Sequence, residues 1–270
     1  MFKFRPIVLN QNTCINLDLF QFIKFAKNFD GVELNIDKIR KTLSKNSNIK
    51  DFFEILEVYG TKVESIYPLA DFSLCTDRDF KTKVLSNLSK MVNYCEKLES
   101  NLIIATPSLL TDSKEATSIP KWRIFNRTRK RLEDLSKRAS KEDINIGFEF
   151  INSDYSSVST LYEAKEILKP LESQENLGYI IDTFYFAKFD VNFEAISDIR
   201  KLIYLIKLAD FNKDLAEKEK RLFPSEGNFN FDKFHRFLEK LGYHRAYSIE
   251  LSHNGCSEKL LEKFSTIFKY

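Results

Sequence analysis

Short apolar runs alternate with longer segments of helical periodicity along this chain. The runs are rich in Val, Ile, Tyr and Phe, and they predict strands at residues 3–9, 31–36, 62–67, 101–106, 144–151, 178–184, 203–209 and 246–251. Between the runs, apolar residues recur every three or four positions, as expected for helices that bury one face. Strands that alternate with helices indicate a parallel sheet. Eight such repeats in 270 residues predict an α/β protein, a single (β/α)8 TIM barrel that spans residues 1–270 as one domain.

The composition predicts a cytoplasmic protein and gives no sign of a nucleic-acid or membrane partner. Lys and Arg total 42 against 39 for Asp and Glu, and the surplus of +3 is too small to predict a nucleic-acid or membrane partner. No apolar run is long enough to cross a bilayer. The four cysteines, Cys14, Cys75, Cys95 and Cys256, are far apart and follow no signal peptide, which favours reduced thiols over a disulfide framework. The composition leaves the oligomeric state open, a homo-oligomer included.

Acidic residues close several of the predicted strands. Asp182 ends Tyr-Ile-Ile-Asp, Glu149 ends Ile-Gly-Phe-Glu and Glu250 ends Tyr-Ser-Ile-Glu, while Glu33 follows Gly-Val. In a barrel of this kind, the carboxyl ends of the strands build the active site. Carboxylates that meet there repel one another, so a cation has to compensate, and oxygen ligands suit Mg, Mn, Co or Zn. Alternatively, each acid taken alone could have only a structural role, as a strand-end residue in an ion pair with a neighbouring Lys or Arg.

Six short motifs follow one another at these strand ends. They are Gly-Val-Glu33-Leu, Phe-Glu149-Phe-Ile-Asn152, Ile-Asp182-Thr-Phe-Tyr185, Lys207-Leu-Ala-Asp210-Phe-Asn212-Lys213, Pro224-Ser-Glu-Gly227 and Ser-Ile-Glu250. Their order resembles the xylose isomerase-like barrel superfamily over nearly the whole chain, and more narrowly its sugar phosphate isomerases and epimerases, which include ketose 3-epimerases and inosose dehydratases. The resemblance implies a divalent metal held by a Glu, an Asp, a His and a Glu, with both Glu residues also acting as acid and base.

The resemblance fits three of the four implied metal ligands. Glu149, Asp182 and Glu250 match by position, whereas Lys207 replaces the His, and its ammonium has no lone pair for a metal. Several roles stay open for Lys207. It could replace metal chemistry as a fixed charge, lie aside from a metal that three carboxylates and water hold, form a Schiff base with a carbonyl substrate, or only neutralise the acids.

Four further residues are predicted to contact the substrate. Tyr185 stands where the family has a substrate-contacting His, and Lys213 stands where the epimerases carry an Arg; Tyr185 keeps a hydrogen-bond donor and Lys213 keeps the charge. Asn152 and Tyr67 follow predicted strands and suit a ligand rich in hydroxyl groups. The chain has only 3 His, of which His253 alone follows a strand end closely, and this argues against the trinuclear zinc of the DNA-repair endonucleases that share the barrel.

Together these features predict a sugar isomerase or epimerase-like enzyme. It would act on a small polyol, keto-sugar or keto-acid by metal-assisted proton abstraction next to a carbonyl. The predicted catalytic residues are Glu149, Glu250 and Lys207, and the predicted metal ligands are Glu149, Asp182 and Glu250. Two alternatives remain: a degenerate barrel that binds a ligand or partner without catalysis, and a metal-free lyase or isomerase that uses Lys207.

Overall fold

A closed barrel of eight parallel strands forms the centre of the computed structural model, which describes residues 6–43, 49–110, 118–189, 191–215, 220–251 and 260–263. The strands are β1 Ile7–Asn10, β2 Gly31–Asn35, β3 Lys62–Leu69, β4 Leu102–Ala105, β5 Asn145–Glu149, β6 Leu177–Asp182, β7 Ile203–Leu208 and β8 Tyr247–Ile249. They follow one another around the barrel in chain order, and β8 pairs with β1. The predicted (β/α)8 barrel is therefore confirmed.

Helices lie between the strands, as the apolar periodicity predicted. Within the described ranges they are α1 Leu19–Phe25, α2 Ile36–Leu43, α3 Ile49–Tyr59, α4 Asp77–Asp79, α5 Leu85–Lys97, α6 Lys121–Ala139, α7 Leu161–Leu168, α8 Thr183–Lys188 and α9 Phe231–Lys240. The apolar face of α5 buries Leu88, Met91 and Cys95. One buried stripe on each amphipathic helix is what covers the outside of such a barrel.

Two compact units make up the chain. The first combines Met1–Glu64 with Ile181–Tyr270, and the second is Ser65–Ile180. In the first unit, Phe186 and Phe234 are fully buried and meet edge to face with ring centroids 6.3 Å apart. In the second unit, Phe72 and Phe148 are also fully buried and meet edge to face, with ring centroids 6.1 Å apart. Each unit thus has its own aromatic core, and one domain over residues 1–270 stays a prediction.

The strand ends differ from the predicted runs by a few residues. β6 stops at Asp182 instead of residue 184, because the Asp182 side chain accepts the N–H of Phe184 at 2.9 Å and caps α8. β3 continues to Leu69, so Tyr67 lies within this strand and the loop begins two residues later than expected. Local hydrogen bonds at the end of a strand thus decide where it stops, and apolar runs alone do not report them.

The cysteines differ in part from the expectation. Cys75 and Cys95 are free thiols, but Cys14 is disulfide-bonded, so the prediction of reduced cysteines is wrong for Cys14. Cys256 lies outside the described residues. In the part of the chain that the structure describes, no helix combines the length and the apolar character needed to cross a bilayer. The cytoplasmic location and the oligomeric state stay predictions.

Gly31 opens β2 at a point where a side chain has no room. A Cβ there would lie 2.8 Å from the carbonyl oxygen of Lys62 and 3.2 Å from Cγ1 of Val8. We expect Gly31→Ala to lower the free energy of unfolding by about 1–3 kcal/mol, because the backbone of β3 must move to admit the methyl group. Chemical denaturation followed by circular dichroism measures the loss. Ser89→Ala, on the exposed side of α5, is the control and should stay within about 0.5 kcal/mol of the wild type; equal losses in both variants would contradict the expectation.

Candidate active site

Asp182 is buried at the end of β6 and is paired with Arg221. Its Oδ2 lies 2.6 Å from Nη2 of Arg221, while Oδ1 accepts the N–H of Phe184. The guanidinium lies over the Phe184 ring, 4.7 Å from its centroid, and 5.5 Å from the ring centroid of Tyr185. Burial alone would lower the pKa of Arg221, but the charges of Asp182 and Glu250 raise it above its ordinary value. Arg221 is therefore a permanent cation at the end of β6.

Glu250 follows β8 and is paired with Lys207. Its Oε2 lies 2.8 Å from Nζ of Lys207, which is buried in β7, and its Oε1 accepts a hydrogen bond from the Asn12 side chain at 3.2 Å. Burial by itself would raise the pKa of Glu250. The charges of Lys207 and Arg221 outweigh that effect and lower the pKa to about 2. Glu250 is thus a carboxylate at neutral pH.

A threonine ties the ends of β6 and β7 together. The hydroxyl of Thr183 donates to the carbonyl of Ala209 at 2.8 Å and accepts the N–H of the same residue at 3.0 Å. Thr183 directly follows Asp182, and Ala209 lies two residues after Lys207. The two strand ends that carry these charges are therefore fixed to each other by a buried side chain.

Asp210 organises the loop that carries Arg221. The backbones of Asp210 and Leu222 exchange two hydrogen bonds of 2.9 Å, and Leu222 directly follows Arg221. The Asp210 carboxylate also accepts the backbone N–H groups of four residues, Phe211, Ser225, Gly227 and Phe229. A carboxylate that binds four N–H groups fixes the path of the chain on either side of it. Asp210 is therefore a structural acid, and it holds Arg221 in place through the loop.

Glu149 ends β5 and is buried. One carboxylate oxygen from each of Glu149, Asp182 and Glu250 lies within 4.8 Å of the others. The three acids that the sequence placed at strand ends thus meet. As a set of hard oxygen donors, they are of the kind that holds a divalent metal.

The other acid of the motifs, Glu33, has a different place. It lies within β2 and is fully buried, where its Oε1 accepts hydrogen bonds from the Asn10 side chain at 2.9 Å and from the Ser248 hydroxyl. Asn10 and Ser248 belong to β1 and β8, the strands on either side of the barrel's closure. Glu33 therefore links three strands inside the barrel.

The predicted substrate contacts are placed differently from one another. Tyr185 is half-buried in α8 and lies beside Arg221. Asn152 is half-buried three residues after the end of β5, and Tyr67 is buried in β3. Lys213 is exposed, and its backbone N–H donates to the Asn228 side chain at 2.9 Å. The predicted substrate roles of these four residues stay predictions, and His253 lies outside the described residues.

Sequence reasoning missed Arg221. It is one of several basic residues in Lys-Glu-Lys-Arg, residues 218–221, and nothing in the pattern separates it from the others. The only sequence signal near it is Pro224-Ser-Glu-Gly227, whose glycine binds Asp210. The pairing of Asp210 with Leu222, which brings Arg221 back to Asp182, is a tertiary feature.

Gly227 leaves room for the Asp210 carboxylate. A Cβ at this position would meet the Asp210 side chain and the carbonyl oxygen of Phe211. We expect Gly227→Ala to lower the free energy of unfolding by about 1–3 kcal/mol, because it pushes Asp210 off its N–H partners. Thermal unfolding followed by circular dichroism measures the loss. Asp214→Ala, at an exposed position of the same loop, is the control; a Gly227→Ala protein as stable as this control would refute the account.

The Lys207–Glu250 pair permits a double-mutant cycle. We expect Lys207→Met to cost about 3 kcal/mol of folding stability, because it leaves a largely buried carboxylate without its cation. Adding Glu250→Gln should recover most of that loss, since the amide needs no counter-charge. Urea denaturation of the four proteins measures the cycle. As a control, Lys83→Met breaks an exposed ion pair with Asp79 and should lower folding stability by less than about 1 kcal/mol. A loss at Lys207→Met no larger than that of this control would contradict the expectation.

Comparisons with known proteins agree with this architecture. A family model described as xylose isomerase-like TIM barrel matches residues 22–264. Inosose isomerase of Bacillus velezensis is 26% identical over 228 residues, which cover 83% of this chain and 79% of the relative. 3-Dehydroshikimate dehydratase of Pseudomonas aeruginosa is 23% identical and covers 85% of this chain but 35% of that protein. The crystal structure of IolI protein with a bound zinc atom matches with a TM-score of 0.83 at 20% identity, over 98% of this chain and 100% of that one.

Proposed function

Because the chain belongs to the xylose isomerase-like TIM-barrel family, we propose that it is an isomerase-like enzyme that acts on a small polyhydroxy ketone of the inosose class. The similarity to an inosose isomerase over most of both chains supports this substrate class. The observation that carries the proposal is the meeting of three carboxylates within 4.8 Å, two of them paired with Lys207 and Arg221. Acids and fixed cations side by side are what proton transfer next to a carbonyl requires.

The reaction moves a proton between neighbouring carbons of the substrate. A carboxylate takes the proton from the hydroxyl-bearing carbon next to the ketone, which gives an enediolate. Return of a proton to the former carbonyl carbon, with transfer of the hydroxyl proton from its oxygen to the former ketone oxygen, then gives the isomeric ketone. We assign the proton transfers to Glu149 and Glu250, with Lys207 as the third catalytic residue.

The cations stabilise the charge that develops on the ketone oxygen. Lys207 and Arg221 carry fixed positive charge in a largely buried site, where such charge acts more strongly than in water. Tyr185, beside Arg221, is a further donor for a substrate hydroxyl group. We assign the same substrate-binding role to Lys213, Asn152 and Tyr67.

Dehydration is the second candidate reaction. It shares the first step, since the same enolate can expel a hydroxyl group from the carbon beyond and release water instead of taking up a proton. The similarity to 3-dehydroshikimate dehydratase favours it, with a cyclic keto-acid as substrate. The named relatives are enzymes, which speaks against a barrel that binds without catalysis.

Hydrogen exchange tests the proposed function directly. The protein is incubated with 2-keto-myo-inositol in D2O, and proton NMR follows loss of the signal at the carbon next to the ketone. We expect Glu149→Gln and Glu250→Gln each to slow this exchange by about 100-fold or more, because each removes a group that carries the proton. A fall in substrate mass by one water molecule, with 3-dehydroshikimate in place of the inosose, would identify the dehydratase reaction.

The controls separate chemistry from folding. Glu133→Gln removes an exposed carboxylate that pairs with Lys137 on α6, and it should leave the exchange rate unchanged. Circular dichroism establishes that each variant is folded. The proposed roles fail if both Glu149→Gln and Glu250→Gln exchange the substrate as fast as the wild type.

A further inference from the structure

We infer that Lys207 and Arg221 supply the positive charge of this site in place of a divalent metal. The inference rests on the proposed function for its consequences in catalysis, but its test does not depend on any activity. The Lys207–Glu250 and Arg221–Asp182 ion pairs carry it.

The oxygens of Asp182 and Glu250 are already used. Asp182 gives one oxygen to Arg221 and the other to the N–H of Phe184. Glu250 gives one to Lys207 and the other to Asn12. A metal that took an oxygen from each acid would have to displace the guanidinium or the ammonium that is already paired with it.

Burial would also keep both cations from moving into solvent if a metal bound. The Lys207 side chain is only 3% exposed and that of Arg221 only 14%. A divalent ion among the carboxylates would leave an ammonium and a guanidinium within the same pocket, facing a third cation with their counter-charges taken away. Removing one partner of a buried pair is strongly unfavourable, because the remaining charge is not compensated.

The charges of the two ion pairs lead to the same conclusion. Asp182 and Glu250 are each matched by one cation, so these four side chains together carry no net charge. A divalent metal bound to the two acids would add two positive charges to a set that is already balanced. The acids as they stand therefore do not fit a metal unless Lys207 and Arg221 are replaced.

The chemistry of the proposed reaction is complete without a metal. One proton passes from carbon to a carboxylate and back to the neighbouring carbon, and the hydroxyl proton passes from its oxygen to the former ketone oxygen. In the proposed site, the N–H groups of Lys207 and Arg221 stabilise the oxyanion that forms between these steps. Arg221 offers a planar fork of donors and Lys207 a point charge, so the two can hold two neighbouring oxygens of a substrate. No electron is transferred, and no further reactant is needed.

Metal binding measured without any substrate tests the inference. The wild-type protein is dialysed against MnCl2, CoCl2 or ZnCl2 and then against buffer, and metal content is read by plasma mass spectrometry. We expect well under one equivalent per chain, and no change in thermal unfolding on adding either the metal or EDTA. Wild type that keeps about one equivalent, with the metal lost in Glu250→Gln, would overturn the inference.

A variant makes the opposite prediction. Lys207→His with Arg221→Leu restores a nitrogen ligand and removes the competing cation. This variant should bind about one equivalent of Co2+, with the visible absorption of a coordinated ion. Lys207→His alone is the second variant, should the double one not fold. Lys83→His, at an exposed pair, is the matched control and should bind none. Variants that are folded but bind no more metal than this control would count against the account.

The outcomes separate the inference from the proposed function. Wild type that binds no metal and exchanges no 2-keto-myo-inositol would leave the charge assignment standing and refute the proposed substrate. Exchange that appears only after loading with Mn2+ would support the proposed substrate and refute the charge assignment. Exchange in the presence of EDTA, lost in Glu149→Gln, supports both.

Discussion

Carboxylates gathered in a buried pocket need positive charge beside them. Glu149, Asp182 and Glu250 bring oxygens within 4.8 Å of one another, where three negative charges out of water would repel strongly. The chain answers this with a lysine from β7 and an arginine from the loop after it. The rest of the site follows from this balance, since Asp182 and Glu250 are each held against a largely buried cation.

The barrel and its loops hold these charges through backbone contacts. Thr183 joins the ends of β6 and β7, and Asp210 binds four N–H groups of the loop that contains Arg221. Arg221 pairs with Asp182 from that loop, so the path of the loop decides whether Asp182 has this counter-charge. A glycine at position 227 is required for that path, because a Cβ would occupy the space of the Asp210 carboxylate. Fold and site are thus linked at one acid, Asp210, that performs no chemistry itself.

The family relation and the local chemistry answer different questions. Membership in the xylose isomerase-like family fixes the barrel and the end of it where chemistry takes place. It does not fix the means, because one scaffold can support different reactions when residues at its strand ends change. Lys207, which stands where the resemblance implies a His, would be such a change. An ammonium holds a developing oxyanion by charge and hydrogen bonds, where a metal would do so as a Lewis acid.

The sequence by itself determined the barrel and the three acids. Period-two and period-three-to-four patterns report which face of each element is buried, and a parallel barrel places strand ends such as Glu149, Asp182 and Glu250 on one side. The local hydrogen bond from the N–H of Phe184, by contrast, ends β6 at Asp182, and β3 continues past Tyr67 to Leu69. Only the tertiary structure shows that Arg221 is the partner of Asp182. An ion pair between distant segments depends on how a loop folds back, and it produces no periodic pattern in the sequence.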